Sequence, residues 1–179
     1  MTHKKRVILK LKEIVASGYL PSRGLEPYQG MTRYHQKIDQ LANCFEHAIF
    51  NLTNEQFDDY EFLEREGDVF GSLSSNILVP KIVTEAEACE FVRKTGLKMD
   101  ECELNPKLKE NQWLVAMYFE EDPIIGRDFH FIRKEKNGLW TGKRGYTDKI
   151  QKFDEMPYNI YELEFYKTFK VTNPFVKEK

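Results

Sequence analysis

Residues 126–145 constrain the fold of this chain more than any other stretch. They read Gly126-Arg127-Asp128-Phe129-His130-Phe131-Ile132-Arg133-Lys134-Glu135-Lys136-Asn137-Gly138-Leu139-Trp140-Thr141-Gly142-Lys143-Arg144-Gly145. Asn-Gly between two runs of strand formers is a strong hairpin signal, because a type I′ turn needs positive φ at both central residues. Counting outward from a two-residue turn at Asn137-Gly138 pairs Lys136 with Leu139, Ile132 with Lys143 and His130 with Gly145. His130 then stands on a rigid strand opposite a residue with no side chain, where its imidazole has room to meet another group.

A chain of 179 residues is long enough for one domain with a substantial core. We read 1–179 as a single domain, with 1–20 as a basic N-terminal helix or arm. Its 27 Lys and Arg nearly balance 29 Asp and Glu. No global charge field therefore points to nucleic acid or an anionic membrane, and neither is expected as a partner. No apolar run approaches the ~20 residues of a membrane span. The first residues do not pattern as a signal peptide, since Lys10, Lys12 and Glu13 interrupt the apolar run. A cytoplasmic location follows as the expectation. Three cysteines without tight spacing suggest neither a disulfide framework nor a zinc site, and no cofactor is expected.

Along the chain, Lys4 to Ala16 has the spacing of an amphipathic helix, stopped by Ser17-Gly18 and Pro21. Phe45, Ala48, Ile49 and Leu52 recur at i, i+3, i+4 and i+7, which predicts a second helix with a buried stripe. Asn43 suits its N-cap, which would make Cys44 the first helical residue. There the unpaired N–H groups and helix dipole favour a thiolate. Thr84-Glu85-Ala86-Glu87 is a capping box for a helix ending near Thr95-Gly96, with Ala88, Phe91 and Val92 inward. Trp113 to Phe119 is a buried-strand run. Tyr161 to Thr172 alternates like a strand with one wet face. Helices followed by three or four antiparallel strands predict an α+β domain, its helices packed on one face of the sheet.

Two segments carry a family resemblance. Asn43-Cys44-Phe45-Glu46-His47-Ala48 resembles the cysteine-bearing helix start of the papain-like cysteine peptidases. Asp128-Phe129-His130-Phe131-Ile132-Arg133, with Gly138-Leu139-Trp140-Thr141-Gly142-Lys143-Arg144-Gly145, resembles the hairpin of a bacterial and phage group of NlpC/P60-like proteins. Together they cover about a fifth of the chain. The resemblance implies a papain-like architecture and a cysteine-dependent amide hydrolase of peptidase, amidase or deamidase type. Cys44 would be the nucleophile and His130 its base and acid. The strand position that holds the third residue in such enzymes is Gly142 here. Asp148, just beyond the strand end, is the first choice for the group that orients His130, with Asp154, Asp128 and Asn159 as rivals. Gln40, Gln36 and Asn43 are the candidates for oxyanion stabilisation and substrate binding, beside the Cys44 backbone N–H.

Each residue also has a plainer reading. Cys44 suits the core side of an apolar helix, His130 a strand histidine bonded to backbone, and His47 a packing role. The other functional reading is therefore a catalytically silent papain-like protein that binds a host or bacterial protein, such as a phage-encoded inhibitor. Both readings take a protein or peptide-like partner, and peptidoglycan cleavage ranks below them. The composition carries no signal for an oligomeric state.

Overall fold

The computed structural model describes residues 3–21, 44–50, 85–122, 126–143 and 150–177. Among them lie three helices and seven strands. Helix α1 spans His3–Ala16, α2 Cys44–Ile49 and α3 Glu85–Lys94. The strands are β1 Lys98–Cys102, β2 Gln112–Asp122, β3 Gly126–Lys134, β4 Trp140–Lys143, β5 Ile150–Phe153, β6 Asn159–Ile160 and β7 Leu163–Thr172. This is an α+β fold, with more strands than the three or four expected. The additions, β1, β5 and β6, are short and polar, so no apolar run announces them.

The strands form one antiparallel sheet in the order β1-β7-β2-β3-β4-β5, with β6 pairing β7 off this path. The sheet is buried on both faces, which explains the unbroken apolar run of β2. Its odd-numbered residues Trp113, Val115 and Met117 meet the helices, while Leu114, Ala116 and Tyr118 point the other way. The first face joins Phe131, Phe169 and Val171 to Leu11, Ile14 and Val15 of α1, to Phe45, Ala48 and Ile49 of α2, and to Ala88, Phe91 and Val92 of α3. The second face gathers Ile132, Trp140, Ile160 and Leu163 around β2.

α1 and α3 obey their sequence signals, whereas α2 ends at Ile49, short of the Leu52 expected to complete its stripe. α1 turns Leu11, Ile14 and Val15 inward and ends at Gly18, whose φ is +90°. Asn173 then binds its last turn, its Nδ2 donating to the carbonyls of Val15 at 3.0 Å and Tyr19 at 2.8 Å. In α3, Glu85 and Glu87 occupy the first turn and Arg93 and Lys94 the last, each sign at the dipole end that favours it. Gly96 stops the helix with φ +98°. Cys89 is a core residue of α3, and burial pushes its thiol up. Cys44 lies in α2, as expected, while its expected N-cap Asn43 lies outside the described residues. Phe45 meets Phe131 edge-on at 5.1 Å, and the Trp113 indole donates to the Ala48 carbonyl at 3.1 Å.

The β3–β4 hairpin is present, but its turn and register differ from the expectation. Glu135 N–H donates to the Leu139 carbonyl at 2.7 Å and Gly138 N–H to the Glu135 carbonyl at 3.0 Å. The loop is therefore three residues, Lys136-Asn137-Gly138, and only Gly138 has positive φ. This is the alternative in which a left-handed glycine closes a bulged three-residue turn. The Asn137 side chain accepts from Leu139 N–H at 3.0 Å, which holds the turn in that form. Ile132 consequently pairs with Gly142, Arg133 with Thr141 and Lys134 with Trp140. The whole register lies one residue from the two-residue count.

A type I′ geometry occurs elsewhere. Ile160 pairs with Leu163, and the two residues between them, Tyr161 and Glu162, both have positive φ, at 51° and 68°. Strand β7 thus starts at Leu163, and Tyr161 and Glu162 are turn residues, not the beginning of the strand.

Candidate functional site

Strand alternation decides which side chains α2 can reach. Phe131 and Arg133 of β3 project toward α2, as does Thr141 of β4. His130 and Ile132 project to the second face. The His130 ring meets the Tyr161 ring edge-on there, with centroids 5.1 Å apart. A Cβ on Gly142 would lie 2.7 Å from Ile132 Cγ2 and 3.3 Å from His130 Nε2. The residue without a side chain beside His130 is thus Gly142, in place of the expected Gly145.

Cys44 and His130 are consequently not brought together. Both are buried, at 7% and 3% exposure, but Cys44 belongs to the helix layer and His130 to the opposite face. The expected pairing had the correct elements and the wrong face. Of the other expected site residues, Asp148, Gln40, Gln36 and Asn43 lie outside the described residues, as does the Asp128 side chain. Asp154 and Asn159 are exposed.

What α2 does meet is a buried polar cluster that the sequence did not single out. His47 Nε2 and Thr141 Oγ1 are 3.1 Å apart. The Thr141 hydroxyl donates to Glu135 Oε1 at 2.7 Å, so its oxygen accepts from His47 Nε2–H. This network assigns the histidine tautomer. Arg133 donates to the same Glu135 oxygen through Nε at 3.0 Å and Nη2 at 2.6 Å. Its Nη1 donates to the His47 carbonyl in the last turn of α2. His47, Thr141, Glu135 and Arg133 are all buried, and the Arg133–Glu135 ion pair has no exposed side-chain surface. A buried charge pair persists only with such hydrogen-bond support. Glu135 Oε2 has no hydrogen-bond partner among the described residues.

The cluster is ring-like. Helix α2 closes it through the imidazole at one point and the carbonyl of the same residue at another. It clamps the helix to the hairpin and fixes His47 with Nε2–H toward Thr141. The signal available in the sequence was Arg133-x-Glu135, two opposite charges spaced to share one side of a strand.

Arg133 turns inward to Glu135, and Lys134 lies with its Nζ 6.0 Å from the Trp140 ring centroid. Cys102, on edge strand β1, is half-buried, and burial pushes its thiol up. Among the described residues, no group of His, Cys, Asp and Glu is placed to hold a metal ion. No described helix is long and apolar enough to cross a membrane. No family model, curated protein or solved structure matches this chain.

Proposed function

We propose that this chain acts by binding a protein partner and that Cys44 and His130 do not form a hydrolytic pair. The observation that carries this reading is their placement on opposite faces of the sheet. A thiol and its base exchange a proton only within hydrogen-bond reach, about 3–4 Å for sulfur. Here Cys44 packs in the helix-side cluster, whereas His130 faces Tyr161. The segments that resemble papain-like and NlpC/P60-like proteins would then serve as a scaffold, with the thiol in the core. Exposed aromatic side chains support a binding role: Tyr158 is 79% exposed and Phe175 52%. Aromatic anchors of this kind are enriched at protein interfaces. A cytoplasmic site of action goes with this reading.

Cysteine-dependent amide hydrolysis keeps one specific observation in its favour. Cys44 lies on α2, and one turn later His47 is oriented by Thr141 and Glu135. In that version His47 would replace His130 as the base.

Alkylation with iodoacetamide, followed cysteine by cysteine in the full chain, separates the two. The binding reading expects Cys44 to react no faster than Cys102 at about pH 5.5, because neither is held as a thiolate. Labelling of Cys44 about tenfold faster than Cys89 and Cys102 at that pH, abolished in His47→Gln, would show a thiol activated by His47 and overturn the reading of Cys44 as a core residue.

A further inference from the structure

We infer that residues 154–162 form a strap across the second face of the sheet. It opens as a unit about Tyr161-Glu162 and controls access to His130. The strap leaves β5 at one edge of the sheet and returns to β7 near the other, so it crosses the face between them. Its hold is sparse. Only Ile160 is buried, with Met156 half-buried against the same cluster, while Asp154, Glu155, Tyr158, Asn159 and Glu162 are exposed. Strand β6 contributes just two residues to the sheet. Polar ties add to this: the Tyr118 hydroxyl donates to the Pro157 carbonyl, and Phe165 N–H donates to the Tyr158 carbonyl at 3.2 Å, while Tyr161 at the end of the strap also packs against the cluster. Segments with few buried apolar contacts and exposed backbone hydrogen bonds are those that open locally before the whole fold does.

The hinge is under strain that the open form relieves. Tyr161 and Glu162 both occupy the left-handed region, where a side chain crowds its own backbone and where glycine or asparagine is usual. The Tyr161 ring packs on His130 and its hydroxyl donates to Gln151 on β5. The residue that bears the strain thus also packs against the imidazole. Opening removes that ring and uncovers His130, beside Gly142, on a floor that includes Ile132 and Trp140.

Hydrogen exchange and histidine carbethoxylation by diethyl pyrocarbonate, both read by peptide mass on the full chain, test this. Strap amides should exchange well before those of β2 and β3. Glu162→Gly removes strain from the closed turn and should slow strap exchange about fivefold. Tyr118→Phe deletes one tie. It should speed strap exchange and raise carbethoxylation of His130, leaving His47 unchanged. Strap exchange in step with β2 and β3, or no slowing in Glu162→Gly, would overturn the inference. So would equal gains at His130 and His47 in Tyr118→Phe. If Tyr118→Phe does not fold, Glu162→Gly decides alone, because it moves exchange in the opposite direction.

Discussion

Arg133 is fully buried, and almost everything polar on the α2 side of the hairpin depends on it. Removing it leaves Glu135 charged in the core and the His47 carbonyl without this donor. Arg133→Ala should therefore lower unfolding stability by about 3–5 kcal/mol, measured by urea denaturation. The double variant Arg133→Met with Glu135→Leu should cost clearly less than Arg133→Ala alone, because no unpaired charge remains. Gly142 is critical for a different reason. Gly142→Ala would place a methyl 2.7 Å from Ile132 Cγ2, and overpacking of this kind costs about 1–3 kcal/mol by the same measurement. At this scale the sequence was partly legible. Asn43 and the apolar stripe that follows put Cys44 at a helix start, and the strand pattern put His130 in β3. Which face each would meet was not legible. Phe129 and Phe131 make one side of β3 apolar and Ile132 does the same for the other, so alternation could not say which side would receive α2. Only the long-range packing of Phe45 on Phe131 decides it.

At the scale of elements, the hairpin was the firmest expectation, and its strands are where the pattern put them. Its turn shows how one hydrogen bond redirects a register. Asn137 is compatible with positive φ, yet its side chain accepts from Leu139 N–H and leaves Gly138 alone in the left-handed region. Gly138→Ala should then cost about 1 kcal/mol in thermal or urea unfolding, while Asn137→Ala should cost only the side-chain bond, also about 1 kcal/mol. The two-residue turn that does occur, Tyr161-Glu162, was not readable, because neither residue favours that geometry. Helix ends were readable wherever a glycine marked them, as at Gly18 and Gly96. What holds α1 in place was not readable, since its anchor is 158 positions away in sequence. Asn173→Ala removes both carbonyl ties and should speed amide exchange in the last turn of α1 before it affects β2.

For the molecule as a whole, several titrating groups pull stability in one direction. Burial raises Cys89 and Cys102 above their ordinary 9.0 and Tyr118 above 10.0. Hydrogen bonds from Lys167 to Glu85 and Glu101 raise it above 10.5. In each case the folded state holds its proton more tightly than the unfolded state. The contribution is therefore complete below the unfolded value and is lost as pH rises through the folded one. The urea midpoint should fall as pH rises between about pH 9 and 11. A rise over that interval would contradict the burial of these groups. The sheet order has another consequence, for the history of each molecule. Strand β7, at residues 163–172, lies between β1 and β2. On a ribosome that has not yet released those residues, β2 to β5 can pair as a meander, but β1 has no neighbour and one margin of β2 is bare. The nascent chain thus carries an unfinished sheet from the moment β3 pairs with β2 until residues 163–172 emerge. Closure of the fold waits for β7, which is made after both of the segments it must join, β1 and β2.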